Sequence, residues 1–192
     1  MSKSHYPFFT PIDELLFQKR IVNISGPVGS EMAYDVCRQI MAMAALDSKA
    51  PITLLINSPG GEINSGFSIY DTARMVEPEV TTLVCGLAAS MGSLIALCAP
   101  KKNRICTPNS KFLIHQPLIS GTLQGSASDL EIHANDIVAT KQRINELYAA
   151  ETGQPIAKVR EATDRDHWMT AEEALKFGLV SKIVQDHSEI WK

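Results

Sequence analysis

The sequence lacks the features that mark several specialised classes of protein. Its four cysteines include no Cys-x-x-Cys pair, which disfavours a zinc site or the disulfide framework of a small secreted domain and favours a reducing compartment. Eighteen basic residues against 21 acidic ones leave a net charge of −3, so nothing indicates a nucleic-acid or anionic-membrane binder. The first residues lack the apolar core of a signal peptide. Together these absences favour a cytoplasmic protein.

One stretch, residues 80–100, contains no charged residue and is long enough to cross a hydrocarbon layer of ~30 Å. Threonines, serines and glycines interrupt it, and it divides into a β-rich half and a helical half. We therefore expect a buried strand followed by a core helix, with a membrane span as the alternative.

Short β-branched or apolar runs bounded by proline, glycine or asparagine predict buried strands. Helical patterns lie between them: one helix is expected from Ser30, which can cap it, another over residues 65–76 and a third from about Ser90. Strands separated by helices of this length imply right-handed crossovers and a mostly parallel sheet, so the fold class is α/β. At roughly 100 to 200 residues per domain, residues 1–192 are expected to form one domain. The predicted strands are residues 21–24, 52–57, 81–85 and 111–115.

A long amphipathic helix is predicted to begin near Ser128, where Ser128 and Glu131 match a capping box, and to end near Gly153. At about 25 residues it would measure near 37 Å. It either packs flat on the domain or projects and buries its apolar face against another subunit.

The C-terminal part of the sequence predicts a second capped helix. Thr170 and Glu173 match another capping box, and Gly178 provides a stop signal. A strand is expected to follow in residues 179–184.

The first candidate for chemistry is Asn-Ser-Pro-Gly-Gly, residues 57–61, directly after a predicted strand. Ligands collect at the carboxyl ends of strands in α/β sheets. Two successive glycines let the backbone turn sharply and direct N–H groups at an incoming oxygen. The motif therefore fits half of an oxyanion hole, with a tight turn as the alternative; it matches neither a Walker loop nor a dinucleotide fingerprint.

Ser90 is the candidate nucleophile because it lies at a strand-to-helix junction among alanines and glycines that would admit a substrate. The alternative is an ordinary helix-capping serine. The surrounding residues do not match the Gly-x-Ser-x-Gly motif of α/β-hydrolases.

A nucleophilic serine needs a base, and His115 is the histidine that ends a buried-looking strand. The alternative is a packing histidine. A third group must orient the imidazole, and the run Asp164-Arg165-Asp166 offers two carboxylates, although such a charge run is by default a solvated surface.

Four motifs occur in an order and at spacings that closely resemble ClpP, the proteolytic subunit of the Clp ATP-dependent protease. The similarity extends from about Ile12 to Val184, and the resemblance implies a ClpP/crotonase-like superhelix of repeated strand-helix units. In it, residues 1–11 are an N-terminal segment and residues from about 126 to 152 a protruding handle helix. The motifs are NSPGG, GLAASMGS, FLIHQP and TDRDHWMTAEEALKFGLV.

The resemblance also implies a complete serine endopeptidase site with no metal and no cofactor. In it, Ser90 attacks the peptide carbonyl, His115 transfers the proton and Asp166 orients His115. The backbone N–H groups of Gly61 and Met91 hold the oxyanion. Two neighbouring residues, Asp164 and Arg165, become ring-assembly residues.

Members of this family stack two seven-membered rings into a chamber, a tetradecamer, and receive unfolded polypeptides from a hexameric AAA+ ATPase. Residues 121–125 resemble the strand that pairs across the rings beside the substrate.

Two features of this sequence depart from the family pattern: the N-terminal segment is short, and the positions that line the ATPase docking pocket differ. We therefore expect an altered docking surface and a subunit that works in a mixed barrel with a ClpP paralogue. The changed pocket positions are Thr53, Leu55, Met75 and Ile105.

Two other functions remain as alternatives to the peptidase. A catalytically silent or weakly active ring subunit would keep the assembly without the chemistry. A crotonase-like acyl-CoA enzyme would share the strand-helix core and an oxyanion hole, but it has no need of serine, histidine and aspartate together.

Overall fold

The computed structural model of the chain describes residues 10–118, 124–186, 188 and 190. Its strands are β1 (Ile21–Ser25), β2 (Ile52–Ser58), β3 (Val80–Ala89), β4 (Arg104–Cys106), β5 (Lys111–Ile114), β6 (His167–Thr170) and β7 (Lys182–Ile183). Its α-helices are α1 (Pro11–Gln18), α2 (Ser30–Leu46), α3 (Ile63–Met75), α4 (Met91–Ala96), α5 (Ala127–Thr152), α6 (Ile156–Thr163) and α7 (Ala171–Phe177).

The sheet confirms the α/β class predicted from the alternation of strands and helices. Five strands run in the order β1-β2-β3-β4-β7, and all of these neighbours pair in parallel. β5 pairs in parallel with β3, and β6 pairs antiparallel with β5. The sheet therefore branches at β3, which borders β2, β4 and β5.

Hydrophobic periodicity explains how the helices attach to this sheet. The buried residues of α2 are Ala33, Val36, Ile40 and Met43, spaced three and four apart, so one stripe of the helix faces the core. Every residue of α4 is buried. The uncharged stretch over residues 80–100 is therefore β3 followed by a core helix, as predicted, and none of the helices in the described ranges is both long and apolar enough to cross a membrane.

The long helix α5 projects from the fold over most of its length. Its buried residues all lie in the last nine positions, from Ile144 to Thr152, whereas Leu130, Ile132 and Val138 are exposed. Gly153 ends the helix with φ +79°, as its sequence predicted. Only the C-terminal turns pack flat, so the projecting part leaves apolar side chains in solvent.

Several boundaries differ from the sequence-based prediction. α5 is capped by Ser126 with Asp129, two residues earlier than the predicted Ser128 and Glu131; either pair satisfies the same spacing rule. The N-cap of α2 is Gly29, and Ser30 is the first helical residue. The predicted Thr170–Glu173 capping box and the stop at Gly178 are confirmed.

Four elements were not predicted: α1, β4, α6 and β6. Two of them are strands of three and four residues, too short for a periodic signal. The strand expected over residues 179–184 is only the two-residue β7. Short strands of this kind exist because a neighbouring strand is available to pair with them.

Candidate active site

A bulge in β3 determines where Ser90 lies. β3 pairs with β4 through Thr82–Val84 and then with β5 through Leu87–Ala89. Against β2, the register moves from Ile56↔Val84 to Ser58↔Ala88, so β3 holds two extra residues at this point. Gly86, with φ +104°, lies inside the bulge. The strand thereby turns from one neighbour to the other just before it ends.

Ser90 follows directly, in a backbone conformation that side chains rarely adopt. Its φ of 52° and ψ of −123° place it outside the common regions for a non-glycine residue, at a cost on the order of 1–3 kcal/mol. Its side chain makes no capping hydrogen bond to α4. Instead, Ser90 Oγ lies 2.8 Å from His115 Nε2. The capping alternative therefore does not account for this serine.

His115 is the residue after β5, and its imidazole lies between Ser90 and Asp166. The side chain is only 13% exposed, and Nδ1 is 3.4 Å from Asp166 Oδ1. This is an ion-pair distance, but Nδ1 is buried and makes no hydrogen bond. The Asp166 side chain is 64% exposed. The three predicted residues thus lie together. Ser90 and His115 are within hydrogen-bond distance, whereas His115 and Asp166 are not yet hydrogen-bonded.

The strand pairing of β5 with β6 explains why Asp166 is the carboxylate that faces His115. Their antiparallel register ends at Ile114↔His167, and one further step sets His115 opposite Asp166. The sequence pattern predicted a helix start at Thr170 and no strand before it. Because β6 was missed, the pairing that brings Asp166 to the site could not be derived from local pattern.

Gly60, the first of the two successive glycines, packs closely against Ser90 and Met91. A Cβ on Gly60 would lie 2.6 Å from Ser90 Cβ and 2.8 Å from Met91 N. Val28 N–H donates to Gly60 O and Glu62 N–H donates to Val28 O, each at 2.8 Å. These two hydrogen bonds join the glycine turn to Val28 without using the Gly61 N–H. These close approaches explain why the position requires glycine.

Met91 offers a second backbone donor beside Ser90. It is the first residue of α4, so its N–H has no carbonyl one turn earlier in the helix to bind. Met91 directly follows Ser90, and Gly61 directly follows Gly60, the glycine packed against Ser90, so the Gly61 and Met91 N–H groups remain the predicted donors to an oxyanion.

Asp164 and Arg165 lie beside this site but contact neither Ser90 nor His115 in the part of the chain that the structure covers. Asp164 Oδ1 is 4.0 Å from Lys141 Nζ on α5, and Asp164 Oδ2 is 3.9 Å from Arg165 Nε. The Arg165 side chain is 90% exposed. Asp164 therefore faces the long helix, whereas Arg165 extends into solvent.

Ser93 contacts Ser90 directly and Tyr148 is linked to it through Ser93, although the sequence pattern singled out neither side chain. Ser93 Oγ donates to the Ser90 carbonyl at 2.7 Å and lies 2.7 Å from the Tyr148 hydroxyl of α5. Ser93 is part of a motif noted above, but its partner lies 55 residues away. No local signal could have joined them.

A charge network around the buried Arg104 fixes the C-terminal end of α5 to the body of the protein. Arg104, 2% exposed in its side chain, binds both the carboxylate and the backbone carbonyl of Glu151. Arg74 Nη1 donates to Glu151 Oε1 at 2.7 Å. Burial, followed by the Glu151 charge, raises the pKa of Tyr70 to about 12, so its hydroxyl remains a donor to Glu151.

The described residues include no group of three or more histidine, cysteine or acidic side chains that could hold a metal ion. His133 lies on the exposed part of α5, and the ring of His167 packs 6.1 Å from that of Phe177. Neither reaches Ser90.

Comparison with known proteins gives consistent matches over nearly the whole chain. A family model described as Clp protease matches residues 7–187. The ATP-dependent Clp protease proteolytic subunit 1 of Protochlamydia amoebophila (strain UWE25) is 45% identical over 179 residues, covering 93% of this chain and 87% of that protein. The proteolytic subunit 3 of Rhizobium meliloti (strain 1021) is 45% identical over 188 residues, covering 98% and 95%. That of Rhizobium johnstonii is 46% identical over 175 residues, covering 91% and 89%.

Proposed function

Because the chain belongs to the Clp protease family of serine-type endopeptidases, we propose that Ser90, His115 and Asp166 are its catalytic triad. The observation that carries this assignment is the 2.8 Å contact between Ser90 Oγ and His115 Nε2. Ser90 Oγ attacks the peptide carbonyl, and His115 accepts its proton and then donates it to the leaving amine. Water, activated by the same imidazole, hydrolyses the acyl-enzyme.

Asp166 holds the imidazole in the required tautomer and stabilises the imidazolium. For this it must approach Nδ1 from 3.4 Å to the ~2.8 Å of a charge-assisted hydrogen bond. Its exposed side chain has room to do so. Closing this contact is the step that completes the triad.

The N–H groups of Gly61 and Met91 form the oxyanion hole in this proposal. Met91 directly follows Ser90, and Gly61 directly follows Gly60, where an added Cβ would lie 2.6 Å from Ser90 Cβ; both facts support this assignment. A donor of this kind contributes ~3 kcal/mol to transition-state stabilisation.

We further propose that residues 1–192 form one ClpP-like domain that assembles into stacked seven-membered rings. The exposed apolar residues of α5 and the exposed Arg165 next to Asp164 support this assembly. In such a barrel the sites face an enclosed chamber, so a weakly selective peptidase is safe in cytoplasm. Residues 1–9 and 119–123, which include most of the N-terminal segment and of the expected cross-ring strand, lie outside the described residues.

An AAA+ ATPase would feed unfolded polypeptides to this chamber. Leu55, Leu83 and Ile105 lie side by side across β2, β3 and β4, and Leu83, Ile105 and Val184 form a small apolar cluster against which Leu55 packs. Met75 is 71% exposed. Leu83, Ile105 and Val184 are themselves buried, so Leu55 and Met75 are the accessible residues of this region. We propose that they dock the ATPase differently from a surface rich in aromatic residues, and that a ClpP paralogue supplies the stronger docking ring in a mixed barrel.

Family membership and the Ser90–His115 contact favour the peptidase over both alternatives. A silent ring subunit has no need of a strained serine in contact with a histidine. A crotonase-like acyl-CoA enzyme would use neither residue in this way.

The test is covalent labelling of the purified chain, alone and mixed with a ClpP paralogue, by a fluorophosphonate probe. Ser90 is expected to carry the label, and Ser90→Ala to abolish labelling and hydrolysis of a fluorogenic peptide. Ser68→Ala, an exposed serine on α3, is the matched control and should behave as the parent. Labelling that survives Ser90→Ala, or an active Ser90→Ala particle, would exclude the proposed mechanism.

A further inference from the structure

A chain of hydrogen bonds runs from the long helix α5 to the backbone of Ser90. The Tyr148 hydroxyl lies 2.7 Å from Ser93 Oγ, and Ser93 Oγ lies 2.7 Å from the Ser90 carbonyl oxygen. Tyr148 and Ser93 are both 1% exposed. No solvent competes for these bonds.

Counting protons fixes the direction of the chain. A carbonyl oxygen can only accept, so the single hydroxyl proton of Ser93 is donated to Ser90 O. Ser93 Oγ must then accept from Tyr148, whose phenol is the donor. Bonds aligned in this way polarise and strengthen one another.

The donor keeps its proton throughout the working pH range. Burial raises the pKa of Tyr148 well above its usual value, and the hydrogen bond with Ser93 only partly opposes this. The phenol therefore remains a neutral donor.

Tyr148 is itself held rigidly because it lies on the anchored end of α5. Thr152 Oγ1 donates to the Tyr148 carbonyl at 2.6 Å. Glu151, three residues further along the helix, is fixed by Arg104 and Arg74. The hydroxyl thus reaches Ser93 from a fixed support.

Ser90 needs such support because a positive φ at a non-glycine residue persists only where the surroundings impose it. Its N–H is fixed by Leu113 O at 2.9 Å. On the other side of the residue, the carbonyl accepts from Ser93 Oγ and from the N–H groups of Ser93 and Leu94 at 3.0 and 3.3 Å. The side-chain bond is the shortest of the three.

We propose that Tyr148 is a positioning residue for the nucleophile: through Ser93 it holds the strained Ser90 backbone so that Oγ points at His115. This inference rests on the proposed peptidase function. The hydrogen-bond chain links α5, the helix proposed to join the rings, to the reacting serine through Ser93. A displacement of α5 would therefore alter Ser90 without any change in substrate-contacting residues.

The experiment measures fluorophosphonate labelling rates, kcat and KM on the assembled particle for Tyr148→Phe, Ser93→Ala and the double variant. Tyr148→Phe removes only the hydroxyl. We expect labelling and kcat to fall about tenfold in each single variant, with KM unchanged, because a small misplacement of a reacting group lowers the rate and not binding. The double variant should be no slower than Ser93→Ala, since both changes break one chain.

The matched control is Tyr70→Phe, which removes a hydroxyl bonded to Glu151 at the same anchor but not linked to Ser90. It should keep the parental labelling rate. Equal losses in Tyr70→Phe and Tyr148→Phe, or a parental rate in Tyr148→Phe while Ser90 is labelled in the parent, would overturn the positioning role alone. A parent in which Ser90 is not labelled would overturn the proposed function, and this inference with it.

Discussion

The Ser90 N–H donates to the Leu113 carbonyl at 2.9 Å, and His115 lies two residues beyond Leu113 on the same chain segment. Nucleophile and base are therefore held to each other by backbone hydrogen bonding between β3 and β5, independently of their side chains. This arrangement requires β3 to leave β4 and join β5, which the bulge around Gly86 allows.

Ser110 supports that bulge, so Ser110→Ala should weaken both the fold and the site. Its buried hydroxyl donates to Val84 O at 2.9 Å and accepts from Gly86 N–H at 3.4 Å. Because Val84 O still accepts from Thr107 N–H at 3.0 Å and Gly86 is exposed, we expect the loss of these hydrogen bonds to cost about 0.5–1.5 kcal/mol. Chemical denaturation should show the lower free energy of unfolding, and a peptidase assay should show reduced activity.

Ser181→Ala is the control for this change, since the Ser181 hydroxyl also donates to backbone carbonyls, those of Lys102 and Arg104, but at a half-buried position. It should cost less than Ser110→Ala. Equal losses in the two variants would mean that the bulge has no special dependence on Ser110.

Gly60→Ala should lower activity strongly because its Cβ would meet backbone atoms that cannot move freely. The methyl group would lie 2.6 Å from Ala89 O and 2.8 Å from Met91 N, at a φ of +88°. We expect a loss on the order of 1–3 kcal/mol in stability and at least ~100-fold in kcat. Gly29→Ala, with no atom within 4 Å of its Cβ, should remain active, and comparable activity of the two variants would contradict the contact.

Asp166→Asn should lower kcat by about 10² to 10⁴-fold with little effect on stability. The amide can donate to Nδ1 and thus favour the wrong tautomer of His115. Steady-state hydrolysis of a fluorogenic peptide measures the effect. Asp71→Asn, on the exposed side of α3, controls for the loss of one negative charge; a twofold effect or less at Asp166 would remove it from the triad.

Glu151→Gln should destabilise the protein by about 3 kcal/mol because it leaves the Arg104 guanidinium buried without its counter-charge. Thermal and denaturant unfolding of the variant would show this. In the matched variant Glu79→Gln, the lost pair with Lys102 is largely exposed, so the expected change is below ~1 kcal/mol. A stable Glu151→Gln protein would show that the network does not anchor α5.

Local sequence signals gave the elements that carry Ser90 and His115. Short β-branched or apolar runs predicted β1, β2 and the first half of β3, and helical periodicity predicted α2, α3 and α5, because these patterns lie in neighbouring residues. The glycines at 60 and 61 were recognised for the same reason: their conformational freedom is a local property.

The capping boxes show the limit of such signals. Thr170 with Glu173 was predicted correctly, whereas at α5 the cap is Ser126 with Asp129 and not Ser128 with Glu131. Two overlapping matches to one spacing rule cannot be separated by the rule itself. The position at which the chain enters the helix decides between them.

By itself the sequence determined the α/β alternation, the junction that holds Ser90 and the strand that His115 follows. Tertiary structure alone decided that Asp166 faces the imidazole, that β3 changes partner at Gly86 and that Tyr148 reaches Ser93. The physical reason is range: propensity and periodicity act between residues a few positions apart, whereas strand pairing and buried hydrogen bonds join residues that only the folded chain brings into contact.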